Sequence, residues 1–377
     1  MKILYISDST LPSRSANSIH VMKMCNAFAS YNHDVTLLAK NTNASICNMQ
    51  SLNEFYDVKN KFNINIFPKN KFKGSGRVYN ILLPFLIKNK FDFYYTRAIY
   101  PALWLSLLNK NFFLKFTNHL ILKVNFLKKI FLIILKLNKV QKWVVISHAL
   151  KRYLIDSHDI SEEKIIVAPD GADEFPHEVK PVTNLIGDFN VGYVGSLYKG
   201  KGMEIIIPLS SRMPNVDFHI VGGKEKDILH WKREINEGQK NIHFHGFIPH
   251  AKTPQYIKSF DVLIAPYQSS VHVKDEKSSN NIALWMSPLK IFEYMSSQRA
   301  LITSDIPILK EILINGENAI LCDPDKISEW EDAINVLMNN EILSDKISSN
   351  AYHDFLKNYT WKQRANNLIN EFNNKVL

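Results

Sequence analysis

The chain alternates short apolar strand patterns with amphipathic helix patterns, and the alternation occurs twice along its 377 residues. The first series begins at residues 2–7 and ends at 164–167. A polar stretch with two prolines follows at 174–188, and a new strand pattern opens at 190–194. Short apolar strands separated by helices are typical of parallel sheets with crossover connections. The sequence therefore predicts an α/β protein with two Rossmann-like domains.

The restart of the pattern sets the predicted domain bounds. We assign residues 1–178 to an N-terminal domain and 186–356 to a C-terminal domain. Open parallel sheets bind ligands beyond the carboxyl ends of their strands. We therefore expect both domains to face a shared central cleft.

Composition excludes several other classes of protein. Apolar residues make up 46% and charged residues 22%, which allows a large core and argues against disorder, collagen or a coiled coil. The three cysteines are scattered, so neither a disulfide framework nor a zinc site is expected, and a reducing compartment fits better. We expect no signal peptide and no transmembrane helix.

Positive charge is concentrated in the first half of the chain. Residues 1–180 hold 25 Lys and Arg against 13 Asp and Glu, whereas 181–377 hold 21 against 23. A helix over 120–139 would place basic and polar side chains on one side, with Phe126, Ile130, Ile134 and Leu137 opposite. The polar side comprises Asn125, Lys128, Lys129, Lys136 and Lys139.

The eight lysines of 110–142 predict an anionic membrane as a partner of this surface. A solvated lysine-rich helix covering a sheet is the alternative interpretation. Nucleic acid is not expected, because base-stacking aromatics interleaved with arginine are missing.

Two motifs indicate a phosphate site. Residues 287–295, SPLKIFEYM, place a Ser-Pro turn at a helix start, where unpaired backbone N–H groups attract phosphate. Glu293 lies about one and a half turns into that helix, where a carboxylate can accept ribose hydroxyls. Residues 195–202, GSLYKGKG, form a glycine-rich turn in which Lys201 can neutralise a diphosphate. An ordinary capped helix and an ordinary strand-to-helix turn are the alternatives.

These motifs and others resemble retaining glycosyltransferases of family 4, which have the GT-B fold. The resemblance rests on SPLKIFEYM, RALITSDIPILKEIL, GSLYKGKG, DFHIVGG, VISHALKRYLIDSHDISEEKIIVAPDGAD and PSRSANSIHVMKMCNAFA, which follow family order. Within this family, residues 287–290 resemble the Ser-Pro-Leu-Lys subgroup found in bacterial surface-polysaccharide enzymes. It implies a helix at about 359–377 that returns to the N-terminal domain.

The resemblance implies a donor site in the C-terminal domain. Glu293 matches the second Glu of the family's Glu–seven residues–Glu pattern, whereas Trp285 stands where the first Glu is expected. Lys201 matches a family lysine, and Ser196 stands in place of the family's arginine. Asn17 is expected near the phosphate because Ser15-Ala16-Asn17 replaces a Gly-Gly. The remaining implied donor-site residues are Gly222, Ser287, Pro288 and Leu289.

The resemblance also implies an acceptor side in the N-terminal domain. His119 matches the family histidine beside the reacting sugar, and we predict it, with Lys201, as catalytic. Arg97, Asp170 and Gly171 are predicted on the acceptor side. No cofactor or metal is expected: we interpret Asp323-Pro-Asp325 as a helix-capping turn.

The implied activity is transfer of a sugar, of hexosyl or N-acetylhexosaminyl type, from a nucleotide diphosphate sugar, with uridine the favoured base. The implied acceptor is a glycan or lipid-linked molecule in capsule, O-antigen or exopolysaccharide assembly, on the inner face of the cytoplasmic membrane. One alternative is a sugar-nucleotide epimerase or soluble synthase on the same fold. Another is a catalytically inactive, membrane-docked GT-B subunit. A dinucleotide dehydrogenase is disfavoured because no Gly-x-Gly-x-x-Gly follows either first strand.

Overall fold

The structure is a computed structural model of the chain. It describes residues 1–13, 15–41, 49–67, 75–87, 90–117, 122, 124–176, 178–183, 185–271 and 281–374. Contacts divide the chain into two compact units. The first unit comprises Met1–Asp170 and Trp361–Leu377, and the second comprises Gly171–Thr360.

The first unit is built on a seven-stranded parallel sheet. Its strands are β1 Lys2–Leu11, β2 Asp34–Asn41, β3 Asn63–Phe67, β4 Phe93–Thr96, β5 Phe112–Phe116, β6 Val140–Val145 and β7 Ile165–Val167. Their order is β3-β2-β1-β4-β5-β6-β7. The connecting helices are α1 Ala16–Ser30, α2 Met49–Tyr56, α3 Ser75–Leu86, α4 Ile99–Leu107, α5 Asn125–Leu137 and α6 His148–His158.

The central strands of this sheet are buried on both faces, which explains their nearly continuous apolar pattern. Every residue of β4 and of β5 is buried, including Thr96 and Lys115. Thr96 satisfies its hydroxyl by donating to the carbonyl of Ile6 on the neighbouring strand, at 2.9 Å.

The second unit repeats the architecture with a six-stranded parallel sheet. Its strands are β8 Asn190–Val194, β9 Asp217–Val221, β10 Ile242–Gly246, β11 Val262–Ala265, β12 Ala300–Ser304 and β13 Ile320–Cys322, in the order β10-β9-β8-β11-β12-β13. Its helices are α7 Met203–Arg212, α8 Glu225–Lys232, α9 Thr253–Lys258, α10 Leu289–Ser296, α11 Ile327–Asn339 and α12 Glu341–Asn358. A last helix, α13 Trp361–Asn373, belongs to the first unit.

The predicted fold class is confirmed, since each unit is a parallel sheet with crossover helices. In both sheets the strand order reverses at one place. The first strand, β1 or β8, lies between the second strand and a later one, β4 or β11. Ligands of open parallel sheets bind at such a switch point, beyond the carboxyl ends of the two strands.

Helix α5 is amphipathic, but its exposed side differs from the prediction. Ile130, Phe131 and Ile134 form the buried stripe. Phe126, predicted opposite the lysines, is 61% exposed, and Leu132 and Ile133 are also exposed among Lys128, Lys129 and Lys136. The exposed side is therefore mixed: apolar and basic side chains alternate on it.

Two of the eight lysines predicted on the membrane-facing surface are buried instead. Lys115 lies inside the first unit, and Lys142 pairs with Glu371 of α13 at 2.7 Å. Both lie on strands of a sheet that is covered by helices, which the lysine count alone could not reveal. Within the described ranges, no helix is both long and apolar enough to cross a bilayer.

Candidate active site

The switch point of the second unit carries the glycine-rich turn. Strand β8 ends at Val194, and residues 195–202 connect it to α7. Gly222, after the adjacent β9, has a φ of +113°, and a Cβ there would lie 2.2 Å from the Gly195 carbonyl oxygen. A Cβ on Gly200, with φ +80°, would lie 2.2 Å from the Ser270 carbonyl. Glycine is required at both positions for the backbone segments to approach this closely.

Side chains hold this turn in place from several directions. The Tyr193 hydroxyl donates to the carbonyl of Ser196 at 2.7 Å, and the Trp231 indole donates to the carbonyl of Leu197 at 2.9 Å. The Gly200 N–H donates to the Glu204 carboxylate at 2.7 Å. Ser196 itself is exposed, so the turn presents a neutral polar side chain at its surface.

Lys201 projects from this turn into a desolvated position. Burial lowers the pKa of its ammonium to about 8, because the charged form loses hydration. Its Nζ lies 5.1 Å from the centroid of the Tyr267 ring, just beyond the end of β11. The predicted donor-site lysine therefore lies at the switch point.

Helix α10 begins beside this lysine. Its N-cap residue is Pro288, whose side chain makes no capping hydrogen bond. Ser287 and Pro288 are buried, and Leu289 is half-buried. An uncapped helix start offers N–H groups and a partial positive charge to an anion. The predicted phosphate-facing residues thus begin a helix that follows the strand next to β8.

The second residue of this helix, Lys290, is a candidate site residue that was not predicted from the sequence. Its Nζ is buried and has no hydrogen-bond partner in the described part of the chain. It lies 3.6 Å from the centroid of Tyr193 and 5.3 Å from that of Tyr267. Its position beside the Ser-Pro helix start was the available signal, but its side-chain direction was not evident from sequence.

Glu293 is half-buried one turn further along α10. Burial lowers the pKa of Lys290 well below its usual value, repulsion from Lys201 lowers it further, and Glu293 partly opposes both effects. The predicted ribose-binding carboxylate is therefore within electrostatic reach of Lys290.

The first unit contains a different buried cluster of charges. Lys115 on β5 donates to the Asp170 carboxylate at 2.5 Å, and His20 on α1 lies 3.2 Å from the same oxygen. Burial alone would raise the pKa of Asp170, but Lys115 and His20 hold it well below its usual value. Burial, and then Lys115, lowers the pKa of His20.

The remaining predicted residues of the first unit lie near its own switch point or at the unit boundary. Arg97 follows β4 directly and is half-buried, with no hydrogen bond or ion pair among the described residues. Asn17 lies in the first turn of α1, and its buried Oδ1 has no described partner. Gly171 is buried at the start of the second unit. His119 lies outside the described residues.

Two family models match the chain, one in each half. Residues 18–174 match the model described as Glycosyltransferase Family 4, and residues 188–340 match that of Glycosyl transferases group 1. The chain has the two domains of a family 4-like glycosyltransferase. No curated protein sequence matches it significantly.

Solved glycosyltransferase structures share the fold of this glycosyltransferase over nearly its whole length. HepE of Anabaena, solved with UDP and glucose, is 15% identical, with a TM-score of 0.70 and 99% of each chain covered. Sucrose-phosphate synthase of Thermosynechococcus elongatus is 15% identical at a TM-score of 0.71, covering 100% of this chain and 99% of its own. The lipopolysaccharide outer core galactosyltransferase WaaB is 15% identical at 0.65, with 100% of each chain covered. The fold is GT-B.

The glycosyltransferase shows no cluster of three or more His, Cys, Asp or Glu placed to hold a metal ion in its described ranges. The Asp323 carboxylate accepts from the Asp325 N–H at 2.9 Å and pairs with Lys326. It closes a turn before α11, but it does not cap that helix, which has no side-chain cap.

Proposed function

We propose that this glycosyltransferase binds a nucleotide diphosphate sugar at the switch point of its second unit and transfers the sugar with retention of configuration. The carrying observation is that Lys290 lies in the first turn of α10 and that the ammonium groups of Lys201 and Lys290 both approach the Tyr267 ring. Two desolvated ammonium groups and free helix N–H groups favour a multiply charged anion. Ser287, Pro288 and Leu289 would offer backbone contacts to the diphosphate, and Gly222 would keep the neighbouring turn close.

We propose uridine as the base of the donor and Glu293 as the acceptor of ribose hydroxyl hydrogen bonds. Support for uridine comes from HepE, which was solved with UDP and with UDP-glucose. Half-buried Glu293 lies on the same helix as Lys290, which supports a ribose position next to the diphosphate. A hexosyl or N-acetylhexosaminyl group is the proposed cargo.

The proposed chemistry balances without a metal or cofactor. The bond between the anomeric carbon and the diphosphate oxygen breaks, and its electron pair stays on the diphosphate. The acceptor hydroxyl oxygen bonds to the same carbon on the same face, and its proton passes to the leaving diphosphate. Lys201 stabilises the charge that grows on that leaving group, which is the general role of preorganised cations.

We propose that the first unit binds the acceptor, with Arg97 as a polar contact and His119 beside the reacting sugar, while Asn17 contacts the donor phosphate. Support comes from the half-buried guanidinium of Arg97, which follows β4 at the switch point without a described ion-pair partner. Asp170, and Gly171 next to it, take a positioning role here, because the Asp170 carboxylate is engaged by Lys115 and His20.

The proposed acceptor is a glycan or lipid-linked molecule of capsule, O-antigen or exopolysaccharide assembly, reached at the inner face of the cytoplasmic membrane. The exposed side of α5 supports membrane attachment, since Phe126, Leu132 and Ile133 stand among three exposed lysines. Apolar side chains interleaved with basic ones suit the boundary between lipid tails and anionic headgroups.

A panel of nucleotide sugars tests the proposal. We expect UDP-sugars to raise the unfolding temperature and one of them to be hydrolysed slowly or transferred to an acceptor, with the anomeric configuration retained by NMR. Recovery of an epimerised nucleotide sugar would instead identify an epimerase. Binding without hydrolysis or transfer on any acceptor tried, including lipid-linked ones, would favour an inactive subunit.

A further inference from the structure

We infer that Lys290 is a second diphosphate-binding cation of the donor site, acting together with Lys201. The inference rests on the proposed function, because it assigns a residue to the donor that this function requires. The sequence motifs predict one cation for the diphosphate, Lys201, and the tertiary structure adds Lys290.

The position of Lys290 brings its ammonium to the carboxyl end of β8. A Cβ added to Gly195 would lie 3.0 Å from the Lys290 Nζ, so the ammonium rests directly against the glycine-rich turn. The Tyr193 ring, 3.6 Å away, covers it from the strand side. The two lysines thus come from two different elements, the turn and α10, and both approach the Tyr267 ring.

The protein groups around Lys290 do not fully neutralise the charge of its ammonium. Its Nζ makes no hydrogen bond among the described residues. The charged groups acting on it are Lys201, which repels it, and Glu293, which attracts it. Burial raises the pKa of the Tyr193 and Tyr267 hydroxyls, so neither ring provides a negative charge.

A buried ammonium without a hydrogen-bonded counter-charge is costly for a folded protein. The cation–π contact with Tyr193 offsets part of that cost, but it leaves the N–H donors of Lys290 without acceptors. A diphosphate would accept hydrogen bonds from those donors, and its negative charge would offset the repulsion between the ammonium groups of Lys201 and Lys290. The arrangement therefore favours ligand binding over the stability of the ligand-free protein.

Lys290→Met keeps the side-chain volume and removes the charge, so its stability and its UDP affinity should change in opposite directions. The ligand-free variant should unfold at a higher temperature than the parent. Its affinity for UDP should fall by about 10–100-fold, the loss expected for one charge-assisted hydrogen bond. Its affinity for uridine should stay the same, because uridine carries no phosphate.

Isothermal titration calorimetry with UDP, uridine and inorganic pyrophosphate, together with thermal unfolding, provides the readouts. Lys357→Met is the matched control, since it removes an exposed lysine from α12 of the same unit and should change neither affinity. Lys290→Arg keeps the positive charge and should retain more UDP affinity than Lys290→Met.

Equal UDP affinity of the parent and Lys290→Met would overturn the inference while leaving the donor site in place. A lower unfolding temperature of ligand-free Lys290→Met, with UDP and uridine affinities reduced alike, would also overturn it and indicate a structural lysine. If the parent binds neither UDP nor other nucleoside diphosphates, the proposed function fails. Pyrophosphate binding that depends on Lys290 would then still support its role as an anion-binding cation.

Discussion

Each unit buries a lysine near the carboxyl ends of its strands, and the two lysines have opposite environments. Lys115 in the first unit donates to Asp170 at 2.5 Å and lies 3.0 Å from His20. Lys290 in the second unit has its ammonium against Tyr193 and no described hydrogen-bond partner. A buried charge that is paired with a protein counter-charge holds elements of the fold together, whereas a buried charge without one can bind a ligand that supplies the counter-charge. Burial alone therefore does not identify a site lysine, and the groups that contact its ammonium have to be considered.

The largest expected effect is on the stability of the first unit. Asp170→Asn removes the carboxylate and leaves Lys115 buried without its counter-charge, so we expect a loss of about 3–5 kcal/mol in the free energy of unfolding. Denaturant titration followed by tryptophan fluorescence measures this loss.

The matched control is Glu162→Gln, which removes the carboxylate of a pair with Lys151 whose acid is 73% exposed. It should cost at most about 1 kcal/mol. If the two variants are equally stable, the satisfied cluster does not stabilise the first unit and the comparison between the lysines fails.

The second effect concerns acid stability in the second unit. His219 on β9 is 1% exposed, its Nδ1 lies 3.0 Å from the Nε2 of His245, and its Nε2–H donates to the Asn190 Oδ1 at 2.8 Å. Burial and the neighbouring His243 and His245 lower the pKa of His219 to about 4. Because the unfolded pKa is about 6.5, protons bind the unfolded chain preferentially as the pH falls from 6.5 to 4.

We therefore expect the second unit to lose up to about 3 kcal/mol of stability over that pH interval. His219→Gln should flatten the dependence, as read from denaturant midpoints at pH 7, 6, 5 and 4. An unchanged slope in this variant would assign the acid sensitivity elsewhere, with His20 of the first unit the next group to replace. This experiment separates the acid response of the two units.

A third, smaller effect tests the role of Glu293, the carboxylate that attracts Lys290. Glu293→Gln should weaken UDP binding by about 1.5–3 kcal/mol, because it removes charge-assisted hydrogen bonds to the ribose. The parent should bind UDP more tightly than 2′-deoxy-UDP, and the variant should discriminate less between them.

Glu317→Gln serves as the control for Glu293→Gln, since it removes an exposed carboxylate of the same unit. Calorimetry on both nucleotides gives the comparison. Undiminished discrimination in Glu293→Gln would remove this carboxylate from the ribose site, although Lys290 and Lys201 could still bind the diphosphate.

The smallest effects are expected from the exposed lysines of α5, which belong to neither buried cluster. Replacing Lys128, Lys129 or Lys136 singly by Gln should weaken attachment to anionic vesicles by about 1 kcal/mol each. Vesicle co-sedimentation at low and high salt measures attachment, and UDP affinity should be unaffected. Equal attachment of the parent to neutral vesicles would indicate that Phe126, Leu132 and Ile133 act without the charges.

Hydrophobic periodicity and turn residues determined much of this protein from sequence alone. The repeated strand and helix patterns gave two parallel α/β units, because period and length of apolar runs are local properties. The predicted strand at 190–194 coincides with β8, and the predicted strand at 164–167 differs from β7 by one residue. Lys201 and Glu293 were predicted as site residues because each lies in a short motif at a helix start.

The tertiary structure decided which charges are satisfied. Lys115 and Asp170 are 55 residues apart, and they meet because β5 and β7, which Asp170 follows, lie in one sheet with β6 between them. Phe126 is exposed because α5 packs through Ile130, Phe131 and Ile134, a choice of face that several apolar positions made ambiguous. Only the tertiary structure sets the ammonium of Lys290, on α10, against the Tyr193 ring of β8. Periodicity is encoded locally, whereas the partner of a buried charge depends on contacts between segments distant along the chain.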